Sequence, residues 1–210
     1  MRYFIFLCLA WVMPVMAMAA EPARIVALGD SLTAGYGLEG GQSFASRLET
    51  ALKASGQDVR VDNAGVSGDT SAGGLARLDW AVSGDPKPAL VMVALGANDM
   101  LRGLDPKVTR ANLGAILKKL RDQNIPALLV GMRSPANMGP DYQKAFDDLY
   151  PDLAREYGVP LHPFFLEGVA MNPRLNQADG VHPTLEGVDI MVANILPIIK
   201  KTLAGNIAAR

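Results

Sequence analysis

Short apolar runs alternate along the chain with longer stretches in which apolar residues recur at helical spacing. Most of the runs end near a glycine or a proline, which is typical of buried β-strands in an α/β protein. The pattern predicts five strands, at Arg24–Leu28, Val59–Asn63, Leu90–Leu95, Ala127–Gly131 and Val159–Pro163.

The stretches between these runs predict amphipathic helices, because their apolar residues repeat every three or four positions. One helix is expected to begin after Ser43 as its N-cap, and another at Asp105-Pro106, where a proline suits the first turn. Pro151 interrupts the third pattern. The four apolar faces comprise Phe44, Leu48, Ala51 and Leu52; Val108, Leu113, Ile116, Leu117 and Leu120; Tyr142, Ala145, Phe146, Leu149 and Leu153; and Val188, Met191, Val192, Ile195 and Ile199.

Strands that alternate with helices, and that are apolar along most of their length, indicate a parallel sheet covered on both faces. We therefore predict an α/β fold with three α/β/α layers and a five-stranded parallel sheet in the flavodoxin-like order 2-1-3-4-5. No repeat or linker interrupts residues 21–210, which are expected to form a single domain. In such sheets, functional sites form beyond the carboxyl ends of the strands.

The first 20 residues differ from the rest of the chain. Arg2 is followed by an apolar run from Tyr3 to Met13, then by Pro14 and the small residues Ala17-Met18-Ala19. This is the pattern of a secretory signal peptide that is cleaved after Ala19 or Ala20. An N-terminal anchor helix is the alternative, but the run is shorter than the ~20 residues that span a bilayer.

Composition and charge exclude several classes of function. The formal net charge is −1, so nothing indicates a nucleic-acid partner. Two histidines, with a single cysteine (Cys8) that lies in the predicted signal, offer no ligand cluster, so we expect neither metal nor cofactor. We expect an exported protein, periplasmic or secreted, that is a monomer without stable membrane insertion once the signal is removed.

Polar, glycine-rich segments follow four of the predicted strands, and parallel strands bring their carboxyl ends to one edge of the sheet. A serine hydroxyl becomes a nucleophile when a base accepts its proton, and His182 is the candidate base. Asp179, three residues earlier, can hold one ring nitrogen of His182 and leave the other for Ser31. The four segments are Gly29-Asp30-Ser31, Asn63-Ala64-Gly65-Val66-Ser67-Gly68-Asp69, Gly96-Ala97-Asn98-Asp99 and Asp179-Gly180-Val181-His182-Pro183.

Each of these residues also has an ordinary structural interpretation. Taken alone, Ser31 fits the N-cap of a following helix, and His182 fits a surface loop. Asp30 and Asp69 are expected to form turns. The other histidine, His162, lies in a strand-like run and is expected to be structural.

A second glycine-rich motif matches a nucleotide-binding pattern but lies at the wrong position in the chain. Residues 35–40 read Gly-Tyr-Gly-Leu-Glu-Gly and match the G-x-G-x-x-G pattern. A dinucleotide-binding fingerprint would lie directly at the turn from strand to helix, and Ser31 already occupies that turn. We therefore do not expect a nucleotide cofactor here.

Four segments carry a family resemblance: GDSL at residues 29–32, SGDTSAGGLARL at 67–78, LGANDMLRG at 95–103 and DGVHP at 179–183. In order and spacing they resemble the four blocks of the SGNH hydrolase superfamily, the GDSL esterases. The resemblance extends from about Ile25 to Ile199. The segments LARL, PAN-G, AF and PFFLEGV are similar to those of the subgroup that contains exported acyl-CoA thioesterase I, lysophospholipase and arylesterase enzymes.

This resemblance implies a catalytic triad of Ser31, Asp179 and His182. It also implies an oxyanion hole formed by the backbone N–H groups of Ser31 and Gly68 and by the side chain of Asn98. With the strand order 2-1-3-4-5, the loops that carry Gly68 and Asn98 would flank Ser31.

By the same resemblance, the segments 100–104 and 133–138 would border an acyl groove, with Met100, Leu101, Arg133, Ser134 and Pro135 as substrate-binding residues. Two positions depart from the family pattern. Ala97 stands where relatives often have a second glycine, and Ser134 stands where the subgroup tends to have an apolar residue. A groove wall that carries a hydroxyl stabilises a long acyl chain less than a fully apolar wall does. We therefore expect a preference for short to medium acyl chains.

The expected function is hydrolysis of acyl or aryl esters, acyl thioesters and lysophospholipids through an acyl-enzyme on Ser31. A carbohydrate O-deacetylase on the same scaffold is an alternative, although aromatic residues, at 6% of the chain, are few for a sugar platform. A non-catalytic module that binds lipid or phosphate at the glycine-rich strand ends is a second alternative. Covalent labelling of Ser31 by a fluorophosphonate would separate that module from an enzyme.

Overall fold

A parallel sheet of five strands in the order β2-β1-β3-β4-β5 forms the centre of the molecule, which confirms the predicted fold class and strand order. This computed structural model describes residues 21–208, so the predicted signal peptide lies outside the described residues. The strands are β1 (Ala23–Gly29), β2 (Val59–Gly65), β3 (Leu90–Ala94), β4 (Ala127–Val130) and β5 (Leu161–His162).

Seven α-helices surround the sheet within residues 21–208, and none of them combines the length and the apolar character needed to span a bilayer. The predicted N-cap at Ser43 is confirmed, because its hydroxyl accepts a hydrogen bond from the backbone of Ser46 at 3.2 Å. The helices are α1 (Ser31–Ala34), α2 (Phe44–Ala54), α3 (Ser71–Val82), α4 (Ala97–Leu101), α5 (Pro106–Asp122), α6 (Pro140–Tyr157) and α7 (Leu185–Ala208).

Three of these helices have no counterpart in the periodicity of the sequence. Two of them, α1 and α4, are only four and five residues long, too short for a repeating apolar pattern. The third, α3, contains Gly73 and Gly74, which lower helix propensity. Gly74 is needed all the same, because a Cβ there would lie 2.2 Å from the side chain of Leu95. Tertiary packing therefore decides the position of α3.

Pro151 does not break the third predicted helix, and α6 continues through it from Pro140 to Tyr157. A proline inside a helix removes one backbone hydrogen bond. The helix buries Phe146 and Leu149 before the proline and Leu153 after it, so the packing of this face outweighs the loss.

The fifth strand is shorter than predicted, with only Leu161 and His162 in the ladder. Pro160 and Pro163 flank it, and a proline has no N–H to donate to a neighbouring strand. Backbone hydrogen bonds continue on both sides of this short pairing, from Leu129 to the carbonyl of Pro160 at 3.0 Å and from Gly131 to the carbonyl of His162 at 2.8 Å.

The interior strand β1 is buried from Arg24 to Gly29 and lies between β2 and β3. It ends on glycine because a Cβ at Gly29 would lie 2.0 Å from the hydroxyl of Thr33 in α1. Gly65 ends β2 in the same way, since a Cβ there would lie 2.4 Å from the backbone nitrogen of Ala34. The two glycines let α1 pack directly on the ends of both strands, which fixes where Ser31 is presented.

Candidate active site

Ser31 is the first residue of α1 and comes two residues after Gly29, the carboxyl end of β1. Its neighbour Asp30 is the N-cap of this helix and accepts a hydrogen bond from the backbone of Leu32 at 3.0 Å. The interpretation of Ser31 as the cap is therefore wrong. Because Asp30 satisfies the helix terminus, the Ser31 hydroxyl remains available to a partner outside the helix.

That partner is His182, whose Nε2 atom lies 2.9 Å from Oγ of Ser31. The other ring nitrogen, Nδ1, lies 2.7 Å from Oδ2 of Asp179. The structure thus brings together the three side chains that the sequence predicts as a triad. A carboxylate can only accept a hydrogen bond, so Nδ1 carries the proton and Nε2 is the acceptor for the Ser31 hydroxyl.

The Asp179 carboxylate is held in place by its own loop. Oδ1 accepts hydrogen bonds from the backbone of Val181 at 2.9 Å and of His182 at 3.0 Å. The backbone N–H of His182, then its imidazole, then the N–H of Val181 lower the pKa of the Asp179 carboxyl to about 2. Asp179 is therefore ionised at neutral pH and remains a permanent acceptor for the imidazole.

Gln177 makes hydrogen bonds that hold the loop carrying His182. Its backbone N–H donates to the carbonyl of His182 at 2.7 Å, and its side-chain amide donates to the carbonyls of Tyr36 and Pro183. The ring of Tyr36 lies against the imidazole, with 4.5 Å between ring centroids. These contacts keep the His182 ring oriented toward Ser31.

The predicted oxyanion residues lie in the segments that follow β2 and β3, and these flank Ser31 because β1 lies between the two strands. Gly68 is in the turn after β2, with φ +83°, and its carbonyl accepts from Arg102 at 2.6 Å. Asn98 is in α4, after β3, and its Nδ2 donates to the carbonyl of Asp69 at 2.9 Å. A longer contact, 3.4 Å, joins the same Nδ2 to Oδ2 of Asp30, so the second N–H of the amide is only weakly engaged.

A cavity of about 400 Å³ opens beside Ser31 and is lined by apolar side chains together with Ser31, Asn98 and His182. All five predicted substrate-binding residues line it: Met100, Leu101, Arg133, Ser134 and Pro135. The remainder of the two predicted segments, residues 102–104 and 136–138, and Gly68 are not in the lining. A larger cavity of about 700 Å³ lies at the opposite edge of the sheet and contains none of the predicted site residues.

The far wall of the cavity beside Ser31 was not predicted from the sequence. It comes from the loop after β5 and includes Phe164, Leu166 and Met171. The guanidinium of Arg133 lies over the ring of Phe164, 5.3 Å from its centroid. Met171 is 94% exposed and has φ +64°. The apolar segment PFFLEGV was a signal for this wall, but apolar residues alone do not distinguish a groove from a core.

The sequence also did not reveal how Asn98 is anchored. Its neighbour Asp99 is fully buried and accepts hydrogen bonds from the backbone and hydroxyl of Ser71, at 2.7 and 2.5 Å, and from Thr109 at 3.3 Å. These bonds tie α4 to α3 and α5. An Asn-Asp pair alone indicates a turn, and only the fold identifies Asp99 as a buried acceptor.

The remaining candidates have structural positions. Asp69 forms an ion pair with Arg77 at 2.6 Å, and Asp30 is the helix cap described above, with its pKa raised to about 6 by burial. His162 is buried in β5, and burial lowers its pKa. The G-x-G-x-x-G segment lies in the loop after α1 rather than at a strand end. Residues 21–208 contain no group of three or more side chains arranged to hold a metal ion.

A serine, a histidine and an aspartate linked in this way, at the carboxyl edge of a parallel α/β sheet, define a serine hydrolase site. The chain belongs to the GDSL-like lipase/acylhydrolase family, whose sequence profile matches residues 27–190.

Similar proteins cover nearly the whole chain. The sequence is 42% identical to esterase TesA of Pseudomonas aeruginosa, over 93% of this chain and 96% of that protein. It is 40% identical to thioesterase 1/protease 1/lysophospholipase L1 of Escherichia coli K12, over 86% of this chain and 87% of that protein. The structure resembles the crystal structure of AlinE4, an SGNH-hydrolase family esterase, with a TM-score of 0.75, 50% identity, and coverage of 89% and 99% of the two chains.

Proposed function

We propose that the protein is a serine esterase and thioesterase that transfers an acyl group to Ser31 and then to water. The observation that carries this proposal is the continuous chain of hydrogen bonds from Ser31 Oγ through the His182 imidazole to the Asp179 carboxylate, with distances of 2.9 and 2.7 Å. Family membership and the esterase and thioesterase names of its relatives support the same activity.

The first step forms an acyl-enzyme. His182 Nε2 accepts the hydroxyl proton of Ser31 while Oγ attacks the carbonyl carbon of the ester or thioester. The imidazolium that forms is stabilised by the ionised Asp179. Collapse of the tetrahedral intermediate breaks the bond to the leaving group, which takes the proton from Nε2 as an alcohol, a phenol or a thiol.

The negative oxygen of the tetrahedral intermediate requires donors that are fixed in advance. The backbone N–H groups of Ser31 and Gly68 and the weakly engaged N–H of the Asn98 amide are the proposed donors. Loss of one such donor costs about 2.7–4 kcal/mol of barrier in comparable sites, so Asn98→Ala is expected to lower kcat by about 10²- to 10³-fold.

The second step releases the acid. A water molecule occupies the position that the leaving group has vacated, His182 accepts its proton, and its oxygen attacks the acyl carbon. Breaking the bond to Oγ then returns the proton from Nε2 to Ser31. The same imidazole therefore acts as base and acid in both halves of the reaction.

The cavity and the names of the relatives support the proposed substrate class. The apolar lining beside Ser31 suits the acyl chain, and the exposed mouth suits a leaving group that remains in water. The relatives are named as an arylesterase and as a thioesterase 1/protease 1/lysophospholipase L1. We therefore propose aryl and acyl esters, acyl thioesters and lysophospholipids as substrates.

We further propose that the chain is exported to the periplasm after cleavage at Ala19 or Ala20. The supporting pattern is a basic residue, an apolar run, a proline and small residues before the cleavage point. N-terminal sequencing of protein from an osmotic-shock fraction tests this proposal. A chain that starts at Ala20 or Glu21 supports it, and an intact Met1 in the cytosol contradicts it.

The activity is tested with a panel of p-nitrophenyl esters, acyl thioesters, lysophospholipid and acetylated glycans. Wild-type protein should hydrolyse esters and thioesters and should be labelled by a fluorophosphonate, whereas Ser31→Ala should do neither. Ser83→Ala is the matched control, because the Ser83 hydroxyl donates only to the Trp80 carbonyl at the end of α3. Hydrolysis confined to the acetylated glycans would replace the proposed activity with O-deacetylation.

A further inference from the structure

One arginine outside the triad contacts the ends of two of the strands that carry the site. Arg77 is in α3, and its guanidinium makes three hydrogen bonds in three directions. Nη2 donates to the carbonyl of Gly29 at 2.8 Å, Nη1 donates to the carbonyl of Ala64 at 2.8 Å, and Nε donates to Oδ2 of Asp69 at 2.6 Å.

These three acceptors belong to the parts of the chain that must be held in register for catalysis. Gly29 ends β1, two residues before Ser31, and Ala64 is near the end of β2. Asp69 directly follows Gly68, and its own carbonyl accepts the hydrogen bond from Nδ2 of Asn98 at 2.9 Å. The Arg77 guanidinium therefore connects β1, which leads to Ser31, with the segments that carry the proposed oxyanion donors of Gly68 and Asn98.

The surroundings of Arg77 favour a role in geometry over a simple gain in stability. The side chains of Arg77 and Asp69 are only 18% and 19% exposed, so forming their ion pair requires removal of water from both charges. Such pairs contribute little net stability compared with apolar packing. A planar guanidinium fixes several acceptors at set angles, which a flexible ammonium cannot do.

We propose that Arg77 is a positioning residue, which sets the distance between the Ser31 hydroxyl and the oxyanion donors of Gly68 and Asn98. This inference rests on the proposed function, since it concerns the transition state of ester hydrolysis. Arg77 does not touch the substrate, and it acts through the backbone of Gly29 and through Asp69.

Gly73 provides a second way to disturb the same contact. A Cβ at Gly73 would lie 2.5 Å from Oδ1 of Asp69, so the carboxylate packs directly on the backbone of α3. The backbone of Gly73 has no positive φ, and alanine suits a helix. Gly73→Ala should therefore displace the Asp69 carboxylate from Arg77 and leave the arginine itself in place.

Arg24 is a matched control at the other end of the same strand. It is 6% exposed, and its guanidinium donates to Asp62 at 2.6 Å, to the Ser83 carbonyl at 2.8 Å and to the Ala81 carbonyl at 3.2 Å. It therefore resembles Arg77 in burial and in bonding, but it lies at the amino end of β1, away from Ser31. Removal of either arginine should disturb the fold, but only removal of Arg77 should disturb the site.

The experiment compares wild type with Arg77→Met, Arg77→Lys, Gly73→Ala and Arg24→Met. For each protein, kcat and KM for p-nitrophenyl butyrate, the inhibition constant of an alkylboronic acid and the thermal midpoint are measured. A boronic acid becomes tetrahedral and anionic when the Ser31 oxygen bonds to boron, so its inhibition constant reports on the oxyanion donors.

We expect Arg77→Met to lower kcat by about 100-fold, the size of effect seen when one oxyanion donor is lost, with KM changed less than about threefold. The inhibition constant of the boronic acid should rise in parallel with the fall in kcat/KM. Arg77→Lys and Gly73→Ala should give smaller losses of the same kind. Arg24→Met should lower the thermal midpoint and leave kcat within about twofold of wild type.

The proposal is overturned if Arg77→Met keeps kcat within about threefold of wild type, or if Arg24→Met loses as much activity. It is also overturned if the inhibition constant does not follow kcat/KM across the series. Should Arg77→Met fail to fold, Arg77→Lys and Gly73→Ala decide the question by the same criteria. An inactive wild type, or an active Ser31→Ala, would instead contradict the proposed function itself.

Discussion

Asp179 accepts two hydrogen bonds from His182, one from the imidazole at 2.7 Å and one from the backbone N–H at 3.0 Å. The carboxylate therefore fixes both the ring and the chain that carries it. Because its pKa is lowered to about 2, it remains a charged acceptor at any pH at which a neutral imidazole can act as a base.

Replacement of Asp179 by asparagine should lower kcat by about 10³- to 10⁴-fold, because an amide does not enforce the Nδ1–H tautomer and does not stabilise the imidazolium. The Asp179 side chain is exposed, so the thermal midpoint should change little. Steady-state kinetics with p-nitrophenyl butyrate measure the effect. Asp148→Asn, which removes an exposed carboxylate paired with Lys144, is the control and should retain wild-type kcat. Retention of more than a tenth of the activity by Asp179→Asn would contradict the assigned role.

The Asp30 carboxyl should make stability depend on pH. Burial raises its pKa from 3.8 to about 6, so between these values the folded protein holds a proton that the unfolded chain has released. The free energy of unfolding therefore falls as pH rises through this window, and the unfavourable contribution is fully present above pH 6. An asparagine side chain at this position has no such titration and can still accept the hydrogen bond from the backbone of Leu32.

As pH rises from 4 to 8, the free energy of unfolding of the Asp30→Asn variant should therefore increase relative to that of wild type by on the order of 2–3 kcal/mol. Urea unfolding of both proteins at several pH values in this range measures the difference. A difference that is the same at pH 4 and pH 8 would show that the buried carboxyl does not titrate in this window.

The hydroxyl of Ser134 should influence the preferred acyl length. Its backbone N–H donates to Asp147 and its carbonyl accepts from Gln143, so alanine preserves both bonds. The hydroxyl itself has only a 3.4 Å contact with the Pro135 carbonyl. Ser134→Ala thus isolates the effect of one polar atom in the wall of the cavity.

For wild type we expect a maximum in kcat/KM at short to medium p-nitrophenyl esters, after a rise of about fourfold per CH₂, the equivalent of 0.8 kcal/mol. Ser134→Ala should raise the ratio of long-chain to acetate hydrolysis several-fold and leave the acetate value unchanged. A wild-type maximum at the longest chains would refute the chain-length preference, and an unaltered ratio would exclude Ser134 as its cause.

The glycine that ends β2 should not tolerate a side chain. A Cβ at Gly65 would lie 2.4 Å from the backbone nitrogen of Ala34, the last residue of α1, and 2.8 Å from the carbonyl of Asp30, the N-cap of α1. Gly65→Ala should therefore lower the thermal midpoint and reduce kcat by displacing α1. Gly40→Ala is the control, since no atom lies within 4 Å of its Cβ. Equal effects of the two substitutions would contradict this explanation.

The sequence predicted most of the sheet and the chemical part of the site, for reasons that particular residues illustrate. The apolar run that ends at Leu28 and the spacing from Asp179 to His182 are local features, so short-range patterns are sufficient. Gly68 and Asn98 were assigned only through the family resemblance, and the strand order then places their loops on both sides of Ser31.

The supporting contacts could not be predicted, because they depend on residues that are distant in sequence. In the sequence Arg77 resembles any arginine on a helix, and only the fold places the ends of β1 and β2 within hydrogen-bond distance of it. In the sequence Asp99 resembles a turn residue, and only the fold brings Ser71 and Thr109 to its carboxylate. The wall formed by Phe164 and Leu166 is indistinguishable in sequence from a buried core segment.

The proton acceptor lies 151 residues after the nucleophile, and within residues 21–208 α7 is the one helix that follows it. A chain that ends before residue 179 carries the Ser31 hydroxyl without His182 as its base and without Asp179. Arg47 in α2 bonds Asp189 in α7 through two nitrogen atoms, which ties the last helix to the early part of the molecule. The three side chains of the triad therefore come together only when the segment that contains residues 179–182 has folded against the part of the chain that contains Ser31.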